Sequence, residues 1–187
     1  MDVNQITNFI KEGAKTLKIK KWDYGASFSN DFSVQIDKGI AKQLKASQKQ
    51  VLTLRVWNDN DLVGITTTSD LSQIGLEKAL FQANLASEYG NKNEKTDFSP
   101  LSKDPIKSSI TKKIYPSGIT KLLKVLRIAE YNLLKKHDAI KSIPYNGLSE
   151  SFFKRVYANS DGASRSFENS QAALYLYARA EEKDKKP

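Results

Sequence analysis

Side chains able to do chemistry are few in this sequence. Histidine occurs once, at His137, and cysteine not at all. A hydrolytic zinc site needs about three protein ligands, commonly two of them histidines on one helical face. A single imidazole without thiols cannot supply that set, and disulfides and thiolate zinc sites are excluded with it. The sequence also lacks a G-x-S-x-G nucleophile elbow, a Walker loop and a dinucleotide-binding fingerprint. The close carboxylate pairs to be considered are Asp59/Asp61 and Glu181/Glu182, both in segments that read as solvent-exposed. Acid–base catalysis by a pair of carboxylates would need a cleft that separates their pKa values, and neither pair has one in view. The run Asn58-Asp59-Asn60-Asp61 carries calcium-type oxygens, but Leu62-Val63 leads directly into a strand where an EF-hand would continue its loop to a bidentate Glu. We therefore expect no catalytic, cofactor-binding or metal-binding residue in this chain. His137, which follows Lys135-Lys136, reads as a helix-end residue placed against the negative pole of the helix dipole.

The formal net charge is +9, an excess that favours anionic partners. Lys18, Lys20 and Lys21 precede Trp22 and Tyr24, the combination of ammonium and aromatic groups used to hold single-stranded nucleic acid. Against this, Trp22 and Tyr24 alternate in step with Ala26 and Phe28, as residues on the core side of a strand do. Tyr175 and Tyr177 pose the same choice. The lysines are otherwise scattered rather than gathered in a stripe, so nucleic-acid binding is expected to be weak.

The elements that would position these residues follow from periodicity. Ile6, Phe9, Ile10, Ala14 and Leu17 predict an amphipathic helix, within which Gly13 allows close packing. Strands are expected over 22–28 and 32–36, then a turn at Asp37-Lys38-Gly39, a polar-faced strand over 40–47, and strands over 52–56 and 62–68 around the Asn58–Asp61 turn. Ser72 is placed to cap a second helix, with Leu71 and Leu76 as its hydrophobic staple, Leu76, Ala79, Leu80, Ala83 and Ala86 as its stripe, and Gly90 at its end. From 91 to 117 the chain is rich in Lys, Ser, Asn and Asp, and Pro100, Pro105 and Pro116 argue against regular structure. Ile119, Leu122, Leu123, Leu126, Ala129 and Leu133 then mark a third helix. Strands over 152–159 and 172–178 flank an Asp161-Gly162 turn.

These elements predict an α+β fold: a mostly antiparallel sheet with flanking helices, followed by a helix and a partial second β-rich unit. The expected organisation is an N-terminal domain over 1–90, a linker or crossing segment over 91–117, and an incomplete second domain over 118–187. The 187 residues are 39% hydrophobic and 10% aromatic, enough for a core. Neither a signal peptide nor the roughly 20 apolar residues of a membrane span is visible, and a cytoplasmic protein is the simple reading.

The ordered motifs resemble one known family. Phe32-Ser33-Val34-Gln35-Ile36-Asp37-Lys38-Gly39, Leu54-Arg55-Val56-Trp57, Gly64-Ile65-Thr66-Thr67-Thr68-Ser69-Asp70-Leu71-Ser72 and Val156-Tyr157-Ala158-Asn159-Ser160-Asp161-Gly162 are similar, in order and separation, to motifs in the N-terminal part of the TldD/PmbA family. The likeness is greater to its TldE (PmbA) branch. Each motif is weak alone; together they are fairly specific.

The resemblance implies a subunit of a metalloprotease complex that degrades or matures small peptides in a closed heterodimer. In such a complex zinc sits in the TldD-type partner, on a His-Glu-x-x-x-His helix, and the TldE-type subunit lacks that motif. An older name ties the family to modulation of DNA gyrase. No such helix occurs in this sequence, so no catalytic residue carries over. The resemblance implies a TldD-like subunit, or self-association, and a peptide substrate as partners, with no cofactor in this chain and no membrane. The alternative is a basic α+β module that binds single-stranded nucleic acid.

Overall fold

A computed structural model describes residues 2–91, 96–104 and 116–181. The chain runs α1 (Val3–Thr16), β1 (Lys21–Asp37), β2 (Ile40–Trp57), β3 (Val63–Thr68), α2 (Gln73–Ser87), a 3-10 turn (Pro100–Lys103), α3 (Ile119–Leu134), β4 (Ile140–Asn159) and β5 (Ser164–Ala180). The strands form one antiparallel sheet in the order β3-β2-β1-β4-β5. The fold is α+β, as the periodicity predicts.

The strands are fewer and longer than expected. The segments read as 22–28 and 32–36 are one strand, as are 40–47 and 52–56. Ser29-Asn30-Asp31 contains neither Gly nor Pro, so its polarity changes what the strand faces without ending it. β4 likewise starts at Ile140 and β5 at Ser164, ahead of the expected 152 and 172. Pro144 and Gly147 disguise the first half of β4. The Asn146 side chain substitutes for ladder groups there, accepting from the Ile36 backbone nitrogen at 3.0 Å and donating to the Ile36 carbonyl at 2.8 Å. An amide side chain has the same donor and acceptor as a peptide group, so pairing continues beside a proline that cannot donate.

Contacts divide the chain into two compact units, and β1, β2, β4 and β5 each give one part of their length to each. The first unit takes the described residues of Met1–Phe28, Lys49–Thr111 and Lys154–Glu168. Its core joins Ile6, Ile10 and Ala14 of α1 and Leu76, Leu80 and Ala83 of α2 to Trp22, Tyr24, Leu52, Leu54 and Val56 of the sheet. Asp2 caps α1 in a reciprocal capping box with Gln5, each side chain bonding the other's backbone nitrogen at 2.8 Å. Ser72 caps α2 as expected, accepting from the Gly75 nitrogen at 3.1 Å. A Cβ on Gly13 would stand 2.8 Å from a Leu80 methyl, so the absent side chain lets α1 and α2 approach. β3 pairs antiparallel with β2 from Leu52↔Thr68 to Trp57↔Val63. The 3-10 turn lies where no regular structure was expected; Pro100 is at its start, where a missing N–H costs nothing.

The second unit takes the described residues of Ser29–Gln48, Lys112–Phe153 and Asn169–Pro187. Its core is small: Leu122 and Leu126 of α3 lie against Val34, Ile36 and Leu148, with Phe32, Ile119, Leu123 and Leu176 at the margin. Ala129 and Leu133, the rest of the expected stripe, are half-buried. Lys38 and Gly39 both take positive φ, 48° and 77°, in the tight turn between β1 and β2.

Candidate functional site

One densely bonded polar group of the first unit is a carboxylate that sequence reasoning did not single out. Trp22 and Tyr24 turn into the helix-covered core, so strand alternation sends Asp23 to the opposite face of the sheet. Asp23 is 1% exposed. Arg55, on the neighbouring strand, meets it through two nitrogens: Nε donates to Oδ1 at 2.8 Å, and Nη2 donates to Oδ2. The Tyr157 hydroxyl also donates to Oδ2, at 3.1 Å, and Asn159 Nδ2 donates to the Tyr157 oxygen at 3.4 Å. The hydrogen bonds to Asp23 hold the Arg55 guanidinium above its already high pKa. Burial and the Asp23 charge push the Tyr157 phenol up.

Aromatic rings and lysine surround this pair. Arg55 lies 5.2 Å and Lys21 5.0 Å from the centre of the Trp57 ring, a cation–π arrangement. Phe98 meets Trp57 edge-on at 5.2 Å, Trp57 Nε1 donates to the Thr96 carbonyl at 2.9 Å, and Lys21 pairs with Asp97 at 2.8 Å. Residues 96–98 thus close over this face. A buried carboxylate engaged by a guanidinium fork and a phenol is held in position, with its oxygens already occupied. The cluster ties β1, β2 and β4 together.

Clefts open among the described residues of the first unit, and three bear on function. One of about 760 Å³ is lined by Gln5, Asn8, Phe9, Gln50, Asp70 and Gln73, an amide-rich wall suited to peptide groups. Its Asp70 carboxylate lies below the usual range because Ser72 hydrogen-bonds to it, so it serves the entry to α2. A second, of about 660 Å³, lies between α1 and α2 and is more apolar, with Phe9, Leu17, Ile74 and Phe81 on its walls. The third, of about 930 Å³, has Lys11, Lys15 and Lys18 on one side and Ser160, Gly162 and Ser164 on the other.

The residues weighed from the sequence do not converge. His137 ends the α3 region, and its Nδ1 accepts from the Ala139 backbone nitrogen at 3.0 Å. Asn58 Oδ1 accepts from the nitrogens of Asn60 and Leu62 at 2.9 and 3.0 Å, a side-chain turn rather than a cation loop. Asp59 pairs with Lys20 at 2.9 Å, and Asp61 takes a φ of 59°. Glu181 pairs with Arg179 at 2.6 Å; Glu182 and Pro105 lie outside the described residues. Trp22 and Tyr24 are 4% and 1% exposed and cannot act as a stacking platform, while Tyr175 and Tyr177 are exposed at the surface of the second unit. Among the described residues no group of three or more His, Asp or Glu side chains is placed to hold a metal ion. No helix among the described residues is long and apolar enough to cross a membrane. The signal that could have exposed the Asp23 cluster is the pair of charges set mid-strand, Asp23 between Trp22 and Tyr24 and Arg55 between Leu54 and Val56. Only the pairing of β1 with β2 makes them partners.

Residues 104–186 match the model of the PmbA/TldA metallopeptidase central domain. No curated protein matches the chain in sequence. Among solved structures, a candidate modulator of a DNA gyrase from Thermotoga maritima aligns with 96% of this chain and 40% of its own, at 15% identity and a TM-score of 0.74. TldE from Thermococcus kodakarensis aligns with 95% of this chain and 39% of its own, at 16% identity and a TM-score of 0.70. A candidate modulator of DNA gyrase from Bacteroides thetaiotaomicron aligns with 91% of this chain and 39% of its own, at 13% identity and a TM-score of 0.70. The chain thus shares its fold with these proteins and spans about 40% of the first one's length.

Proposed function

We propose that this chain is the N-terminal part of a TldE/PmbA-like subunit, a non-catalytic component of a TldD/TldE-type metalloprotease complex that processes or degrades small peptides. The observation that carries the reading is the continuity of the fold match, over 96% of the chain, together with the central-domain match of residues 104–186. In this reading 1–90 is an N-terminal unit, 91–117 the connection, within which the central-domain match opens at residue 104, and 118–187 belongs to the central domain. The cytoplasm is its setting. The partner is a TldD-like chain, and zinc and the hydrolytic step belong to it. This chain contributes position: the Asp23–Arg55–Tyr157 cluster stiffens the sheet, and the exposed Ile74, Phe81 and Leu85 of α2 offer an apolar face to the partner.

Co-expression with a TldD-like chain tests the reading. The expected result is a stable complex that cleaves unfolded peptides, while this chain alone cleaves none and retains no stoichiometric metal. Peptide cleavage by the isolated chain with metal bound inside it overturns the proposal. The alternative of a single-strand nucleic-acid module predicts oligonucleotide binding that falls steeply with salt in place of partner binding. The burial of Trp22 and Tyr24 weighs against it.

A further inference from the structure

Along α1, Lys11 and Lys15 lie four residues apart and so share one face of the helix, and Lys18 follows just beyond its end. All three line one wall of the cleft of about 930 Å³. The facing wall is the turn from β4 into β5, which presents Ser160, Gly162 and Ser164. Both walls belong to the described residues of the first unit. The volume is that of a small-molecule site.

Lysine occupies position 18 against the preference of the backbone. Ile19 N donates to the Ala14 carbonyl at 2.8 Å and Lys18 N to the Lys15 carbonyl at 3.1 Å, the pair of bonds that ends a helix on a left-handed residue. Glycine is the usual residue there, because a Cβ crowds the following carbonyl. Lys18 takes this conformation with a φ of 59°. What the lysine adds in exchange is a third ammonium group on the cleft wall.

The facing turn is fixed by its own bonds. Asn159 is 3% exposed, and its Oδ1 accepts from the Ala163 nitrogen at 2.8 Å. The Gly162 nitrogen donates to the Asn159 carbonyl at 3.1 Å, and the Ser160 nitrogen to the Trp22 carbonyl at 2.9 Å. The Ser160 hydroxyl oxygen accepts from the Trp22 nitrogen at 3.3 Å, which leaves its proton to donate. With these backbone donors engaged, the cleft offers ammonium and hydroxyl groups rather than a strand edge, and an extended peptide has no ladder to join. Its cations are all lysines; Lys20 is paired with Asp59 at 2.9 Å, and Glu12 is the one carboxylate among the lining residues. Planar, bidentate recognition of a carboxylate calls for an arginine fork, whereas ammonium groups act as point charges suited to phosphate.

We propose that this cleft binds a small phosphorylated ligand, with Lys11, Lys15 and Lys18 neutralising the phosphoryl oxygens and the Ser160 and Ser164 hydroxyls donating from the other side. Trp22 and Tyr24 are buried and leave no stacking surface for bases, which favours a compact phosphate over a nucleic-acid strand. The inference stands on the cleft itself and does not require the peptidase assembly proposed above.

Calorimetric titration of the chain with pyrophosphate in magnesium-free buffer tests it. Saturable binding of one pyrophosphate per chain is expected. Lys15→Ala should weaken it about tenfold, as loss of one charge-assisted hydrogen bond does. Lys18→Gly should weaken it to a similar degree while leaving the melting temperature of the unliganded chain unchanged or higher, so that lost affinity is not lost folding. Lys42→Ala/Lys45→Ala, on β2 in the second unit, removes two charges away from the cleft and should bind as the unsubstituted chain does. Absence of saturable binding overturns the proposal, as does unchanged affinity in Lys18→Gly. Equal weakening by the β2 pair overturns it too, by reducing the effect to net charge. Tighter binding of tetraglutamate or of oligothymidylate than of pyrophosphate gives the cleft to an acidic peptide or a nucleic-acid strand instead.

Discussion

Glu130 of α3 accepts a hydrogen bond from the backbone nitrogen of Gly39 at 2.7 Å, across 91 residues of sequence. Arg127, almost one turn earlier, donates from Nε to the Gly39 carbonyl at 2.7 Å. Both polar groups of one turn residue are thereby held by one helix. The β1–β2 turn needs positive φ at Lys38 and Gly39, and its outward-facing peptide groups have no ladder partner, so α3 supplies what the hairpin lacks. Glu130 is 5% exposed, and its burial is explained by this bond.

Glu130→Ala should destabilise the chain by about 1–3 kcal/mol, the cost of leaving a buried donor without its acceptor. Glu130→Gln retains an acceptor oxygen and should cost less. Urea unfolding of the two variants checks the order; equal changes in both would show that Glu130 acts by its charge rather than through Gly39.

The Asp23–Arg55 pair should behave as a unit. Asp23→Ala strands a half-buried guanidinium and Arg55→Ala strands a buried carboxylate. Each should cost up to about 3–5 kcal/mol, and Arg55→Ala the more, since Asp23 is the more deeply buried. Replacing both with apolar residues, Asp23→Leu with Arg55→Met, should recover much of the loss. A double-mutant cycle in denaturant measures the coupling; additive losses would show that the two side chains act separately.

Stability should fall in alkali because of two phenols. Burial raises Tyr24, and burial with the Asp23 charge raises Tyr157, above the ordinary value of 10.0. For a group whose folded pKa is raised, the stabilisation is complete below the unfolded value and is lost as pH rises through the folded one. The decline should therefore begin near pH 10. Denaturant unfolding between pH 8 and 11, roughly the window around a phenol's pKa, should show a shallower decline in Tyr24→Phe and Tyr157→Phe. An unchanged slope in both variants would assign the decline to other groups.

Two glycines should respond oppositely to the same substitution. A Cβ on Gly64 would come within 1.9 Å of the Ala83 carbonyl oxygen and 2.4 Å of the Ser87 nitrogen, so Gly64→Ala must push β3 from α2. Its cost should reach or exceed about 1–3 kcal/mol, as overpacking does. A Cβ on Gly25 meets nothing within 4 Å, and Gly25→Ala should be neutral or slightly stabilising. Thermal melting of the pair provides the comparison.

What the sequence determined by itself is local. The 3.6-residue spacing of Ile6, Ile10 and Ala14, the cap at Ser72, the Lys38-Gly39 turn and the inward alternation of Trp22 and Tyr24 each depend on near neighbours, and the structure places all of them as periodicity and turn chemistry require. The tertiary structure decided whatever joins distant segments. Strand length in β1 and β2 was hidden because a polar stretch such as Ser29-Asn30-Asp31 stays in a strand when its neighbours supply the hydrogen bonds. Pro144 went unrecognised inside β4 because the compensating amide, Asn146, finds its partner in Ile36, 110 residues away. The Asp23–Arg55–Tyr157 cluster is likewise a product of strand order. Hydrophobic period is written along the chain, whereas the partner of a buried charge is chosen only when strands come side by side.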